Sequence, residues 1–251
     1  MAGWFDPHVH LDYWRIEDVP GVIRDAEHAD VDKIVTVGRS VVSSAFNVWI
    51  AHQFETVLAG VAIHPLWPDA LDDQSYRDLK ALTRDTKVVA IGETGIGVGM
   101  RPETRNEQRD KFAKHIRLAR ERGLPLIIHN DRGSGADIAE IYQKEKGHEV
   151  GGVMHTTMVD LNDAKRMWEM GVYISIGYHP FQREGFEYLE EVIRQVPENL
   201  LMIETDSAGG LGNAFPHKLP EVAAKVAAIR GTTSDHIKDV SNRNIKALLR
   251  L

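Results

Sequence analysis

The stretch Val88-Val89-Ala90-Ile91-Gly92-Glu93 is an apolar run that ends on a carboxylate. After a polar-faced helical stretch at Asn106–Arg122, Pro125-Leu126-Ile127-Ile128-His129 repeats the pattern and ends on an imidazole. Nearly continuous apolar runs of this length are expected of strands buried on both faces, as in a parallel sheet covered by helices. These two runs sit in strands predicted at Lys87–Glu93 and Leu124–His129. Working outward from them, further β-rich runs stand at Trp4–His10, Lys33–Gly38, Thr56–His64, Gly152–His155, Gly171–Ile176 and Leu200–Asp206. Helical stretches lie between runs at Val22–Ala29, Ser75–Thr83, Asp137–Glu145, Leu161–Met170, Gly185–Gln195 and Leu219–Ala228. Ser234–Arg250 reads as a closing amphipathic helix with Ile237, Val240, Ile245 and Leu248 on its apolar side. Eight such units in 251 residues predict an α/β fold, a (β/α)8 TIM barrel. An open doubly wound sheet is the alternative, since alternation alone does not specify closure. No linker or low-complexity segment divides the chain, so residues 1–251 are expected to form a single domain.

Composition narrows the function classes. No apolar run approaches the roughly 18–20 residues that span a bilayer, and Met1-Ala2-Gly3-Trp4-Phe5-Asp6 lacks the basic flank and apolar block of a secretory signal. The chain has no cysteine, which removes disulfides, thiolate metal sites and a thiol nucleophile. A cytoplasmic protein without a membrane partner is expected. The net charge of −7 argues against a protein that tracks duplex phosphates. The richest basic stretch, Arg101 to Arg122, is interleaved with Glu103, Glu107, Asp110 and Glu121, as on a solvated helix face. If phosphate is handled, bound cations must supply much of the positive charge.

Histidine placement carries the functional reading. Of 12 histidines, His8, His10, His64, His129 and His155 fall at the C-terminal ends of predicted strands, and Glu93 and Asp206 end two more. In a barrel those ends converge on one face, where active sites of this fold lie. His8-Val9-His10 is an H-x-H on a strand, so both imidazoles project to one side of the pleat. Imidazoles with nearby carboxylates suit Zn, Mn, Ni or Fe, and with more oxygen donors Mg. A buried carboxylate such as Glu93 needs a cation or strong hydrogen bonds, and its two oxygens can bridge two metals. Asp206 is a candidate ligand and orienter of an attacking water. Glu204, two residues earlier, is expected to support the ligands from deeper in the barrel. Arg132, Tyr178 and His179, with Trp14 and Trp67, follow strand ends and are candidates to line a substrate pocket, packing being the competing role for each. The glycine runs at 95–99 and 209–212 read as loops rather than anion nests. His28, His52, His115, His148, His217 and His236 fall on helices or loops and are expected to be exposed.

These residues, in this order, resemble the TatD-like metal-dependent hydrolases of the amidohydrolase-type barrels. Phe5-Asp6-Pro7-His8-Val9-His10-Leu11-Asp12 resembles that family's opening D-x-H-x-H-L-D, Ala62-Ile63-His64-Pro65 its GxHP, and Ile91-Gly92-Glu93-Thr94-Gly95 its GEIG. Gln108, Phe112, Leu118-Ala119 and Leu124 through His129 are similar to its helix-strand stretch, and Met154-His155 and Ile203-Glu204-Thr205-Asp206 to its last two motifs. The resemblance implies two divalent cations (Mg, Mn or Zn), one held by His8, His10, Glu93 and Asp206, the other by Glu93, His129 and His155. It also implies phosphodiester cleavage of the 3′-5′ exodeoxyribonuclease type. The chain departs from the pattern in substrate-facing loops: Ile96-Gly97-Val98 replaces L-D-Y, Asp131-Arg132 stands where an Arg is usual two residues after the third ligand, and Thr156-Thr157-Met158 replaces C-F-S-G.

In the mechanism expected from this set, metal-bound hydroxide attacks, Asp206 accepts the proton and passes it towards the leaving group, and His64 hydrogen-bonds developing charge. The expected substrate is a nucleic-acid end or a small phosphodiester. An amidohydrolase-type barrel acting on a lactone, amide or phosphotriester is the alternative. Many such enzymes bridge their metals with a carboxylated lysine at the position that Glu93 fills here. A non-catalytic metal-binding barrel is a remoter reading, since such a scaffold is expected to have lost ligands.

Overall fold

The computed structural model describes residues 3–97, 101–182, 187–209 and 213–251. The predicted helix start at Gly185 and parts of the glycine runs at 95–99 and 209–212 lie outside the described residues. The strands are β1 (Trp4–His10), β2 (Val31–Val37), β3 (Val57–Val61), β4 (Val88–Gly95), β5 (Leu126–His129), β6 (Gly152–Met154), β7 (Tyr173–Ile176), β8 (Leu201–Ile203) and the short β9 (Ser207–Ala208). Between them run α1 (Val19–His28), α2 (Val41–Gln53), α3 (Asp73–Leu82), α4 (Arg105–Arg122), α5 (Gly135–Lys144), α6 (Leu161–Glu169) and α7 (Tyr188–Gln195); α8 (Leu219–Arg230) and α9 (Ser234–Leu249) follow.

Each strand from β1 to β8 pairs in parallel with the next. The chain leaving β8 crosses to β1 and pairs with it as β9, Val9 opposite Ser207 and His10 opposite Ala208. The two edges of the sheet are thus joined, and the fold is a TIM barrel rather than an open sheet.

Side chains sort to two sides of the barrel wall. Ile34, Val57, Ile91, Leu126, Ile128, Met154, Ile174 and Leu201 pack with the surrounding helices in the larger apolar cluster. Phe5, Val35, Val37, Ala90, Ile127, Val153 and Met202 form a separate cluster with Ile245, Leu248 and Leu249 of α9. That helix caps the N-terminal end of the barrel. Its Asn242 accepts from the Phe5 amide (3.0 Å) and donates to the Gly3 carbonyl (2.8 Å), its Ser241 hydroxyl accepts from the Ile203 amide (3.1 Å), and Asn244 donates to the Leu201 carbonyl (2.7 Å). With the N-terminal end filled, the C-terminal end is left for a site.

Among the described residues, the one α-helix with no counterpart in the sequence reading is α2. Its apolar residues (Val41, Val42, Phe46, Val48, Trp49, Ile50) are spread around the helix rather than along one stripe, leaving Val42 and Trp49 exposed. Without a stripe, periodicity gives little signal. It is started by reciprocal bonds between Ser40 and Ser43, a capping box with Ser in place of the usual Glu or Gln. The predicted strand at Thr56–His64 is also shorter, ending at Val61, so His64 lies in the loop beyond it.

Candidate metal centre

Two irregularities in strand pairing place the key side chains. The register of β1 against β2 shifts between Asp6 and Val9, around Pro7, and that of β4 against β5 shifts between Ile91 and Thr94. Proline cannot donate to a ladder, and an extra residue re-aims the side chains that follow it. Phe5 faces the interior cluster, yet so do His8 and His10, which strict alternation would turn outward; Ala90 and Glu93 show the same change of parity.

Glu93 sits at the centre and is almost fully buried. Its Oε2 lies 3.2 Å from His10 Nε2 and 3.6 Å from His8 Nε2. Its Oε1 lies 2.6 Å from His129 Nδ1, 2.7 Å from His155 Nε2 and 3.1 Å from His64 Nε2. Each oxygen therefore serves a different set of imidazoles. Asp206 Oδ1 joins the first set at 3.5 Å from His8 Nε2 and 3.6 Å from His10 Nε2. The sequence-predicted residues His8, His10, His64, Glu93, His129, His155 and Asp206 are all brought together.

Hydrogen bonds to the far sides of the rings fix which nitrogen is bare. A carbonyl only accepts, so His10 Nδ1 must donate to Val37 O (3.2 Å), and in the neutral ring Nε2 carries the lone pair. That lone pair faces the Glu93 carboxylate and, at 3.2 Å, His8 Nε2. Such a juxtaposition is repulsive unless a proton or a cation lies between. His155 Nδ1 meets Glu204 Oε1 at 3.3 Å, the carboxylate–imidazole pairing that commonly orients a metal ligand. The donors fit divalent cations in two groupings, His8–His10–Asp206 and His64–Glu93–His129; His8–His155–Glu204 is a third cluster of the same type.

Electrostatics are those of a cluster sharing few protons. Burial alone would raise the Glu93 pKa, but the surrounding imidazoles of His64, His155, His10 and His129 hold it well below the ordinary carboxylate range. Burial would lower His155, and Glu93 with Glu204 raise it well above the usual imidazole value. His8 stacks on His155 at 3.9 Å and is lowered by burial and by the neighbouring ring's charge. His64 is pushed down by burial to about 4. Its Nδ1 accepts from the Leu66 amide (3.1 Å), so the Nε2 proton points at Glu93 and not at the barrel mouth.

Supporting residues lie just behind. Glu204 is buried and accepts from the Thr156 amide (2.6 Å), the Thr156 hydroxyl (2.8 Å) and the Ser175 hydroxyl (2.6 Å). The Thr156 hydroxyl also stands 3.3 Å from Asp206 Oδ2. Both Thr156 (φ 34°) and Asp206 (φ 54°) hold left-handed backbone conformations, a strain that clusters at functional sites. Asp6 accepts from the Thr205 amide (3.1 Å) and hydroxyl (2.5 Å), tying the segment that carries Asp206 to the strand that carries His8.

The remaining predicted pocket residues divide. His179 Nε2 reaches the Asp206 carbonyl at 3.1 Å, at the edge of the cluster. Tyr178 is buried in the outer apolar cluster, where packing is its role. Arg132 is exposed and lies over the Tyr188 ring at 4.9 Å.

His115 corrects the sequence reading, which expected exposure: it is fully buried. Its Nε2 accepts from the Ile63 amide (3.1 Å), and its Nδ1 faces Lys111 O and Thr94 Oγ1, each at 2.9 Å. It bridges the neighbours of His64 and Glu93, and burial lowers its pKa to about 3. The signal that could have found it was its place on the apolar side of α4, three residues after Phe112 and one before Ile116.

Residues 5–250 match the TatD related DNase family. The chain is 31% identical to the uncharacterized metal-dependent hydrolase YabD of Bacillus subtilis, over 98% of this chain and 99% of the relative. It is 26% identical to a protein of Edwardsiella piscicida named 3′-5′ ssDNA/RNA exonuclease TatD, over 93% and 94% respectively. Among solved structures, the TatD homologue YjjV of Escherichia coli matches with a TM-score of 0.89 at 24% identity, over 99% of this chain and 98% of that one, which is a likeness of fold.

Proposed function

Because the chain belongs to the TatD family of metal-dependent hydrolases, we propose that it is a phosphodiesterase that removes nucleotides from nucleic-acid ends in the 3′-5′ sense. On this reading residues 1–251 act as one unit and hold two divalent cations. His8, His10, Glu93 and Asp206 hold one, and Glu93, His129 and His155 the other. The observation that carries it is the Glu93 carboxylate, one oxygen turned to His8 and His10 and the other to His129 and His155. The name of the Edwardsiella relative supports the direction and the single-stranded substrate.

Divalent cations held there would lower the pKa of water towards about 7 and polarise a phosphoryl oxygen. The protein's own groups do the rest. Val37 O fixes the His10 ring and Glu204 the His155 ring, so that their bare nitrogens face the centre. The Asp206 side chain is one-fifth exposed, the most open of these carboxylates, and accepts the proton of the attacking water before passing it to the leaving oxygen. Neutral His64 holds Glu93 in place through its Nε2 proton. A chain of net charge −7 grips a long polyanion poorly, so binding is concentrated at the scissile phosphate.

The test is a substrate panel for metal-free protein resupplied with Mg, Mn or Zn: end-labelled single strands, blunt duplexes, closed circles, bis-p-nitrophenyl phosphate and lactones. Stepwise shortening of linear strands is expected. Cleavage of circles as fast as linear strands would exclude end-directed action, and lactone turnover without phosphodiester cleavage would move the chain to carbon-ester chemistry.

A further inference from the structure

Next to the metal centre, two aromatic rings and a guanidinium form a stack that the proposed chemistry leaves without a role. It starts at Tyr13, whose ring meets the His10 ring edge-on at 5.7 Å. The Arg39 guanidinium lies 3.6 Å from the Tyr13 ring centre and 4.5 Å from that of Trp67. Arg39 is locked by Asp12, which accepts from its Nε (3.1 Å) and Nη2 (2.6 Å), and its carbonyl accepts from the His64 amide (3.0 Å). The loop below Trp67 is equally fixed: the Trp67 amide donates to the His64 carbonyl (3.1 Å) and Lys111 Nζ donates to the Trp67 carbonyl (2.9 Å). The indole is therefore held in place, yet it is 37% exposed.

A cavity of about 140 Å³ lies beside it, lined by Pro65, Trp67, Pro68, Arg101, Glu107 and Lys111 among others. Its charges argue against an anion as occupant. Of its two cations, Arg101 is paired with Glu103 (3.2 Å) and Lys111 is turned to the His64 and Trp67 carbonyls, and Glu107 adds a carboxylate to the wall. The flat apolar surfaces of the indole and two prolines suit a planar ring. A pre-positioned aromatic face loses little entropy on binding and stacks on any base, since every base presents a π-face.

We propose that Trp67, backed by Arg39 and Tyr13, is the platform on which a nucleobase of the substrate stacks while its phosphate is held at the metal centre. This rests on the phosphodiesterase reading above and adds a base-binding position without sequence preference.

The test uses Mn-loaded protein in calorimetric titrations with thymidine 5′-monophosphate and with deoxyribose 5-phosphate, which lacks the base. The wild type is expected to bind the nucleotide at least about tenfold more tightly than the sugar phosphate. Trp67→Ala should abolish that difference while sugar-phosphate affinity stays the same, and Trp67→Phe should keep most of it. A wild type that does not distinguish the two ligands overturns the proposal. So does a Trp67→Ala variant that weakens both equally, because the indole would then only brace the His64 loop. The contrast is read from binding alone, so a protein that stacks the base on Trp67 but cleaves no phosphodiester would refute the function proposed above and uphold this inference.

Discussion

The Asp6 carboxylate receives both the amide and the hydroxyl of Thr205, a residue 199 positions further along the chain. It also accepts from the His8 amide at 3.3 Å, so one buried side chain fixes the seam at which the barrel closes. Asp6→Ala leaves these donors without an acceptor and is expected to cost about 3 kcal/mol or more, at roughly 1–3 kcal/mol for each buried group left unpaired. Burial already pushes Asp6 up to about 8. An uncharged amide of the same shape is therefore expected to cost no more than about 1 kcal/mol. Denaturant unfolding of Asp6→Ala and Asp6→Asn checks both values; equal destabilisation would show that the charge, not the acceptor, is what matters.

Glu93→Gln should lower the metal content. If one oxygen serves each cation, replacing the carboxylate with a neutral amide weakens both sites, and elemental analysis after reconstitution should find about one divalent ion or fewer per chain against two in the wild type. Two ions retained at equal affinity would remove Glu93 from the shared position.

Asp206→Asn should reduce kcat by about 10²–10⁴ while preserving the fold. Asparagine tolerates the left-handed backbone that Asp206 adopts (φ 54°), so the substitution removes the proton acceptor without disturbing the turn. Steady-state kinetics at matched metal content provide the measurement. Wild-type kcat in this variant would assign the proton transfer elsewhere.

His115 predicts a pH dependence of stability. Its folded-state pKa is depressed by burial from 6.5 to about 3. Below pH 6.5 the unfolded chain takes up a proton that the folded chain refuses, so stability falls as pH drops from about 6.5 towards 3. The slope contributed by one such group is at most about 1.4 kcal/mol per pH unit. A glutamine can accept from the Ile63 amide and donate towards Thr94, and it does not titrate. Urea unfolding at several pH values between 4 and 7 should show His115→Gln losing less stability on acidification than the wild type. Identical losses in the two proteins would be evidence against His115 as the titrating group.

The alternating strand–helix units and the ligand types were legible in the sequence, because both depend on local pattern, whereas closure into a barrel rests on the pairing of β9 with β1. Apolar runs ending on His or Glu mark buried strands whose C-terminal ends must meet, and that was enough to gather His8, His10, Glu93, His129, His155 and Asp206. Tertiary structure decided what local pattern does not encode. The register shifts at Pro7 and after Ile91 set the parity that turns His8, His10 and Glu93 into the interior, and they exist only relative to the neighbouring strand. Helix α2 lacked a stripe to read and is recognised only by what it packs on. The burial of His115 and the closure through Asp6 and Thr205 join residues distant in sequence. The stack of Tyr13, Arg39 and Trp67 draws one residue from the loop after each of the first three strands, so it comes into being only when the barrel brings those loops together.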